Sequence, residues 1–218
     1  MDWKKIRFSP EIEVYFNHDQ YWRIKDKKAF GIKNWVQGYD NSIVSDEEQE
    51  ERGEEWPGAE FRPNIDNKLF YNKKSLYEIE QLFQAIKENG GEINENCGGH
   101  IHIDVSNLSI EQIKKIIKKF YVYQEEILTK YKPWKTRKKF CEPVTSRVLL
   151  LKTKTDFLKN YNDGDFLSEV FLKKYWALNL GTYKTYRTLE FRFFNGTLDF
   201  KQFKRRIKWL LKFVSGVE

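Results

Sequence analysis

His100-Ile101-His102-Ile103 alternates polar and apolar residues, and three other stretches do the same: Glu11-Ile12-Glu13-Val14, Ala59-Glu60-Phe61-Arg62 and Leu189-Glu190-Phe191-Arg192. Alternation is the period of a β-strand, in which successive side chains point to opposite faces of the sheet. If the four strands belong to one sheet, their Glu, His and Arg residues share one face, and their apolar residues share the other. Solvated sheet faces usually carry Lys, Thr and Ser, so this polar set predicts a functional site.

The whole pattern predicts an α+β fold, with a mostly antiparallel β-sheet and helices packed on one face. Strands are predicted at residues 7–16, 33–38, 59–62, 100–105, 175–180 and 188–194, the last two joined by a turn near Gly181. Apolar residues at helical spacing predict helices over 76–86, 110–131 and 200–214. Ser75 is the expected N-cap of the first helix, and Ser109 with Gln112 forms a capping-box pattern before the second.

The length of 218 residues fits one domain spanning 1–218. A run of acidic residues without hydrophobic period predicts a flexible acidic flap at 45–58. No apolar stretch is long enough to cross a bilayer, and the charged start is not followed by a signal-peptide core, so we expect a soluble, cytoplasmic protein without a membrane partner. The two cysteines fit a reducing compartment and are too few for a cysteine-based zinc site.

The formal net charge of +7 is compatible with a nucleic-acid partner or with an anionic small substrate such as ATP. Lysines spread along solvated helix faces explain the same charge without any partner. Composition therefore leaves nucleic-acid binding open and does not favour it.

The predicted polar face is rich in hard carboxylates. Glu11, Glu13, Glu60 and Glu190 suit Mg²⁺ or Mn²⁺ better than zinc, which prefers Cys and His. Four close anions repel one another and raise their own pKa values, so divalent cations or arginines should neutralise them. Planar guanidinium groups also engage carboxylates and phosphoryl groups through two hydrogen bonds, and the candidates are Arg62, Arg187 and Arg192. His100 and His102 are either ligands or catalytic groups, or buried histidines that are hydrogen bonded.

Six blocks, in chain order, resemble the motifs of the amidoligase family, whose members are carboxylate–amine ligases related to glutamine synthetase and glutamate–cysteine ligase. The blocks are Phe8-Ser9-Pro10-Glu11-Ile12-Glu13, Trp35-Val36 with Asp40-Asn41-Ser42, Gly58-Ala59-Glu60-Phe61-Arg62-Pro63, Cys97-Gly98-Gly99-His100-Ile101-His102-Ile103-Asp104, Ala177-Leu178-Asn179-Leu180 and Thr188-Leu189-Glu190-Phe191-Arg192-Phe193-Phe194-Asn195-Gly196-Thr197-Leu198-Asp199.

This resemblance implies a glutamine-synthetase-like catalytic domain that uses ATP and two or more Mg²⁺ or Mn²⁺ ions. Such a ligase joins a carboxylate and an amine, on a small molecule or peptide, into an amide or isopeptide bond through an acyl phosphate. The implied metal ligands are Glu11, His100 and Glu190 for one ion and Glu13 and Glu60 for another. The implied catalytic residues are Glu190, Arg192 and Arg187, and the implied groups for cofactor binding and substrate positioning are Arg192, His102, Asn179 and Asp40.

Two other functions are compatible with the same residues. A divalent-metal-dependent phosphoester hydrolase would use the same carboxylates, and a basic nucleic-acid-binding module would use the lysine-rich helices. The general base for an amine is open among Glu142, Asp40 and Asp104, and Cys97 is expected to be a buried small residue. The sequence does not indicate the oligomeric state.

Overall fold

The computed structural model of the chain describes residues 2–25, 29–40, 43, 57–64, 68–150 and 174–216. Within these ranges the α+β class with an antiparallel sheet is confirmed. The strands are β1 (Arg7–Tyr15), β2 (Trp35–Tyr39), β3 (Gly58–Pro63), β4 (Leu69–Phe70), β5 (Gly99–Asp104), β6 (Leu178–Asn179) and β7 (Thr188–Phe191). The α-helices are α1 (His18–Lys25), α2 (Lys73–Glu88), α3 (Ile110–Tyr131), α4 (Thr182–Tyr186) and α5 (Phe200–Ser215). Short 3₁₀ turns occur at Trp3–Lys5, Ala29–Gly31, Thr136–Phe140 and Ser146–Leu150.

The strands form one open sheet in the order β2-β3-β1-β5-β7-β6, with β4 also paired to β1. One edge of β1 pairs with β5. The other edge pairs with β4 at Arg7 and Phe8, and with β3 from Ile12 to Tyr15. Among the described strands, none pairs with that edge of β1 between Phe8 and Ile12, so the sheet has a gap there between β3 and β4.

The hydrophobic core lies against one face of this sheet. Ile12 pairs with Phe61 and Ile101 pairs with Phe191, and all four are buried. Helix α3 packs on this face through Phe120, whose ring centroid lies 5.7 Å from that of Phe191. Burying side chains of this size contributes about 1.5–3 kcal/mol each, so the apolar face anchors the sheet and leaves the polar face for a site.

Helices α3 and α5 begin as their sequences predict. The Ser109 side chain accepts from the backbone N–H of Gln112 at 3.2 Å, and the Gln112 side chain accepts from the backbone N–H of Ser109 at 2.9 Å. Asp199 caps α5 by accepting from the backbone N–H groups of Lys201 and Gln202. These caps satisfy backbone donors that the first turn of a helix cannot pair by itself.

Three predictions about local structure are wrong. Helix α2 begins at Lys73, and its N-cap is Asn72, which accepts from the backbone N–H of Ser75 at 2.9 Å. Ser75 is therefore inside the helix, because Asn72 caps equally well and lies one turn earlier. The strand predicted over 175–180 is only Leu178–Asn179, and the turn predicted near Gly181 is the start of helix α4.

The last predicted strand is also shorter than expected, since β7 ends at Phe191. Beyond β7, Phe193 and Phe194 pack on Tyr131 of α3, with ring centroids 5.4 and 4.8 Å away. The pairing continues as an isolated bridge between Asn195 and Gly98, with the Gly99 N–H donating to the Phe194 carbonyl at 3.1 Å.

Most of the predicted flap, residues 45–56, lies outside the described residues. Gly58, the last residue of the predicted flap, already belongs to β3. Among the described helices, none is both long and apolar enough to cross a membrane. The single-domain organisation and the glutamine-synthetase-like architecture stay predictions.

Candidate active site

The strand register brings the predicted polar residues onto one face. Glu13 lies opposite Glu60, Glu11 opposite His100, and His102 opposite Glu190. Residues directly opposite in an antiparallel pair share a face, with Cβ atoms about 4.5–5.5 Å apart. The alternating stretches therefore belong to four strands of one sheet, β1, β3, β5 and β7, and their Glu and His side chains converge.

Two groups of side chains could each hold a divalent cation. Glu11, His102 and Glu190 offer ligand atoms within 4.8 Å of one another, and Glu13, Asp40 and Glu60 form a second such group. Asp40 follows β2, where its backbone N–H donates to the Gly58 carbonyl at 3.1 Å. Carboxylate oxygens with one imidazole are a donor set that fits Mg²⁺ or Mn²⁺.

His100 lies at the centre of the carboxylates. Its Nδ1 atom is 3.3 Å from Glu11 Oε2, 3.4 Å from Glu13 Oε1 and 3.5 Å from Glu190 Oε1. Its Nε2 atom is 2.9 Å from Nη2 of Arg137. The first group of candidate ligands contains His102, where the resemblance implied His100.

His102 is held between two neighbours. Its Nε2 lies 2.9 Å from Glu11 Oε1, and its Nδ1 lies 3.0 Å from Thr188 Oγ1. Burial lowers the pKa of His102, but the carboxylates of Glu11, Glu190 and Glu60 together outweigh burial, and the pKa lies above its usual value. Burial and the Arg192 cation lower the pKa of His100 to about 3, so the two histidines have opposite electrostatic environments.

Crowding changes the acidity of the carboxylates in both directions. Burial raises the pKa of Glu13 to about 7. Burial and the neighbouring Glu11 and Glu13 raise the pKa of Glu60 to about 8. Burial also acts to raise the pKa of Glu11, but His102 and His100 bring it well below its usual value. The predicted rise through mutual repulsion therefore holds for Glu60, whereas burial is the main cause of the raised pKa of Glu13 and the two histidines reverse the shift for Glu11. A divalent cation would relieve the remaining repulsion.

Glu190 is held at both oxygens. Asn179 Nδ2 donates to Glu190 Oε2 at 2.6 Å, and Arg192 Nη1 donates to Oε1. The other end of the Asn179 amide accepts from the backbone N–H of Gly181 at 2.9 Å. Asn179 thus orients Glu190, and these contacts do not support the cofactor-binding role predicted for it.

The three candidate arginines lie in different places. Arg192 is mostly buried beside Glu190, and its Nε donates to the Phe140 carbonyl at 3.2 Å. Arg62 Nε lies 3.3 Å from Glu60 Oε1. Arg187 ends α4, and its guanidinium lies 5.1 Å from the ring centroid of Tyr183 in the same helix.

Arg137 is a site residue that the sequence did not reveal. It lies in the turn Thr136–Phe140 and is 1% exposed. Its guanidinium donates to the carbonyls of Phe194 and Arg192 and contacts His100. In the sequence, the run Arg137-Lys138-Lys139 looks like a solvated basic surface. The hydrophobic periodicity around it is poor, so nothing in the sequence indicates that Arg137 is buried.

Two cavities open on the polar face. Cavity 1, about 260 Å³, is lined by Ser9, Glu11, Glu60, Arg62, Pro63, Lys68, His102, Tyr186 and Thr188. Cavity 2, about 240 Å³, is lined by Glu11, Glu13, Asp40, Glu60, Asn96, His100, Arg137, Phe140, Lys174, Tyr175 and Arg192. Glu11 and Glu60 line both cavities and form a shared wall between them. Arg187 and Asn179 line neither cavity.

Of the three candidate general bases, Asp40 lines cavity 2. Asp104 forms ion pairs with Arg7 at 2.5 Å and Lys68 at 3.1 Å, and Glu142 is exposed. Cys97 is fully buried, as expected.

Residues 7–214 match the family model described as "Putative amidoligase enzyme". The chain belongs to the amidoligase family. Comparisons with curated proteins and with solved structures found no match. Membership of the amidoligase family indicates a ligase with small-molecule or peptide substrates.

Proposed function

We propose that the protein is an ATP-dependent carboxylate–amine ligase. The observation that carries this proposal is the shared wall, since Glu11 and Glu60 line both cavities and belong to the two groups of candidate metal ligands. Phosphoryl transfer from a nucleotide to a carboxylate requires two substrates that approach the same cations from different sides. A glutamine-synthetase-like catalytic fold is part of the same proposal.

The nucleotide is assigned to cavity 1. This cavity contains Arg62 and Lys68, which suit phosphate groups, and Tyr186, whose 39% exposed ring offers an aromatic surface to a base. Glu11 and His102, two members of the first candidate metal group, line it as well.

The acceptor carboxylate and the amine are assigned to cavity 2. Arg192 lines this cavity, together with the second candidate metal group of Glu13, Asp40 and Glu60. Asp40 is the proposed base for the amine, because it is the one of the three candidate bases that lines the cavity.

The proposed reaction has two steps. An oxygen of the acceptor carboxylate attacks the γ-phosphorus of ATP, and ADP leaves, which gives an acyl phosphate. The amine nitrogen then attacks the acyl carbon, phosphate leaves, and the amine proton passes to Asp40. Arg192 stabilises the charge on the transferring phosphoryl group. Divalent cations held by the two groups of ligands would neutralise phosphate charge.

The test is an incubation with ATP, Mg²⁺ and pooled carboxylates and amines, with release of ADP and phosphate as the readout. We expect an acceptor pool to stimulate release, and Glu190→Gln to abolish it. Glu111→Gln is the matched control, because Glu111 is exposed on α3 and pairs only with Lys114 in the described contacts. The proposal fails if no pool elicits release that depends on Glu190.

Two results would favour the alternatives. Turnover of phosphoesters with metal but without ATP would indicate a hydrolase. Steeply salt-dependent binding of nucleic acid that survives Glu11→Ala and His100→Ala would indicate a nucleic-acid-binding module.

A further inference from the structure

One edge of the sheet offers backbone hydrogen bonds to another chain. Strand β2 (Trp35–Tyr39) ends the strand order, and among the described strands none pairs with its outer side. The backbone N–H of Asp40 donates to the Gly58 carbonyl of β3, and backbone groups alternate in direction along a strand. The N–H and C=O groups of Gln37 and Tyr39 therefore point outwards, away from β3.

This edge lacks the features that usually prevent strand pairing. Natural edge strands carry lysine, proline or a bulge, or another element covers them. The sequence of β2 is Trp-Val-Gln-Gly-Tyr, without a charge or a proline, and both Gly38 and Tyr39 are exposed. The opposite edge of the sheet differs, because β6 spans only Leu178–Asn179 and both residues are buried. β2 is thus the edge at which a further strand can be added.

Two side chains on β2 carry buried polar atoms that have no partner. Within the described part of the chain, Trp35 Nε1 and both polar atoms of the Gln37 amide are buried without a hydrogen bond. The two side chains alternate along the strand, so they share the face that carries Phe61. Unpaired buried polar groups are unfavourable. Because Gln37 is partly exposed as a residue, a polar side chain opposite it on an added strand would supply the missing hydrogen bonds.

Gly38 connects this edge to the candidate active site. It lies opposite Glu60 on the polar face, and a Cβ atom there would find its nearest neighbour, the Glu60 carbonyl oxygen, at 3.9 Å. Asp40 directly follows the strand and lines cavity 2, where Arg192 supplies a cation. A side chain opposite Gly38 on an added strand would point onto this face, with only a glycine between it and Glu60.

We propose that the acceptor substrate is a peptide that docks on β2 as an extended antiparallel strand and delivers a carboxylate side chain over Gly38 to cavity 2. This inference rests on the proposed ligase function and selects a peptide as its substrate class. The peptide residues opposite Gln37 and Tyr39 exchange backbone hydrogen bonds with them, which is the usual mode of strand addition. The residue between them carries the acceptor carboxylate. Neighbouring strands lie about 4.7–4.9 Å apart, which keeps that side chain beside Gly38.

The probe is a pool of blocked pentapeptides with a central Glu or Asp flanked by Thr and Val, residues that favour extended structure. NMR of ¹⁵N-labelled protein without ATP reports the shifts and hydrogen-exchange rates of the Gln37 and Tyr39 amides. We expect fast exchange of both amides in the free protein, and shifted signals with slower exchange in the presence of the pool. The α-amide of N-acetylglutamic acid, which has the carboxylate but no strand, should cause neither change.

Two NMR results would overturn the proposal. In the first, the peptide pool leaves the Gln37 and Tyr39 amides unchanged. In the second, both amides are already protected from exchange in the free protein, which would mean that the edge is occupied by the chain itself.

Methylated peptides test the pairing in the tightest-binding member of the pool. In the antiparallel arrangement, the two residues that flank the acidic residue donate to β2, and the N–H of the acidic residue points away. Methylation of both flanking nitrogens should weaken binding by about tenfold or more, because two hydrogen bonds are lost. Methylation of the acidic residue's nitrogen should preserve the affinity. Equal losses from the two modifications contradict strand addition.

Two variants test the same pairing from the protein side. Tyr39→Pro removes an outward N–H without removing a hydrogen bond to β3, so peptide binding should weaken by about tenfold. Tyr39→Ala retains the N–H and loses the exposed ring, and it should keep most of the affinity. Equal weakening in both variants would assign binding to the ring and overturn strand addition. If Tyr39→Pro does not fold, the methylated peptides decide.

Failure of this inference and failure of the ligase proposal give different results. If small carboxylates and amines elicit ADP release that depends on Glu190 while the peptide pool leaves β2 unchanged, the ligase proposal stands and the peptide inference is wrong. If the pool binds at β2 but no acceptor elicits ADP release, the peptide site stands and its role as the acceptor site fails with the ligase proposal.

Discussion

The amide of Asn179 donates to the carboxylate of Glu190 across the β6–β7 pair, at 2.6 Å between Nδ2 and Oε2. Its oxygen accepts from the backbone N–H of Gly181, which fixes the amide from the other end. Groups that orient a metal ligand affect metal affinity although they do not touch the ion.

Asn179→Ala should therefore weaken Mn²⁺ binding by about 10–100-fold, because Glu190 loses the donor that orients it. Free Mn²⁺ measured by electron paramagnetic resonance during a titration gives the affinity. Asn89→Ala is the control, since Asn89 donates to the Ala85 carbonyl at the end of α2. Equal Mn²⁺ affinity in the wild-type and Asn179→Ala proteins would contradict this prediction.

Glu60→Gln should stabilise the metal-free protein and reduce its stabilisation by Mn²⁺. Burial and the neighbouring Glu11 and Glu13 disfavour the charged form of Glu60, so the amide removes a cost on the order of 1 kcal/mol while it also removes a ligand. Thermal unfolding with and without Mn²⁺ measures both effects. Glu111→Gln should change neither, and an unchanged Mn²⁺ response in Glu60→Gln would exclude Glu60 as a ligand.

Gly98→Ala should destabilise the protein by about 1–3 kcal/mol, because the added methyl group overlaps Arg137 and His100. Gly38→Ala on β2 is the control, since its Cβ would find its nearest neighbour, the Glu60 carbonyl oxygen, at 3.9 Å. Urea unfolding of the two variants supplies the comparison. Similar unfolding free energies for Gly98→Ala and Gly38→Ala would show that the site adapts to the methyl group.

Arg62→Met should weaken binding of a non-hydrolysable ATP analogue with Mg²⁺ by tenfold or more, about 1.4 kcal/mol, because it removes a cation from cavity 1. Lys174→Met, which removes a cation from cavity 2, should have a smaller effect. Calorimetric titration gives both affinities. The reverse order would place the nucleotide in cavity 2.

Asp199 should make α5 sensitive to acid. Backbone N–H groups of Gln202 and Lys201 lower the pKa of Asp199 below its usual value. A lowered pKa means that the carboxylate stabilises the fold at pH values above its unfolded pKa of about 3.9, and that this contribution disappears as the pH falls through the folded pKa. Asn also caps helices but does not titrate in this range, so Asp199→Asn is the matched variant.

The wild-type protein should therefore lose more stability than Asp199→Asn between pH 7 and pH 3. Urea unfolding followed by circular dichroism at both pH values gives the two differences. Parallel losses would show that the carboxylate makes no pH-dependent contribution to α5.

The alternating stretches could be assigned from sequence because a period of two reports which residues share a face. It does not report which strands are neighbours, so the pairing of His102 with Glu190 and the position of Asp40 required the structure. The split of the carboxylates between two cavities depends on the same strand order.

Arg137 could not be identified from the local sequence pattern, because an arginine looks the same in a sequence whether its guanidinium is buried or solvated. The available signal is Cys97-Gly98-Gly99, because paired glycines allow a tight turn or the close approach of another group. The close approach exists at Gly98, but the group that approaches is a side chain of the protein itself.

Pro10 lies in the stretch of β1 where, on the side of β3 and β4, none of the described strands pairs with it. The backbone N–H of Glu13 points towards the β5 side, where it meets the Gly98 carbonyl, and N–H groups alternate along a strand, so the nitrogen of Pro10 faces the gap. Proline has no N–H to offer there. Proline at this buried position therefore leaves no unpaired backbone donor where none of the described strands could accept from one.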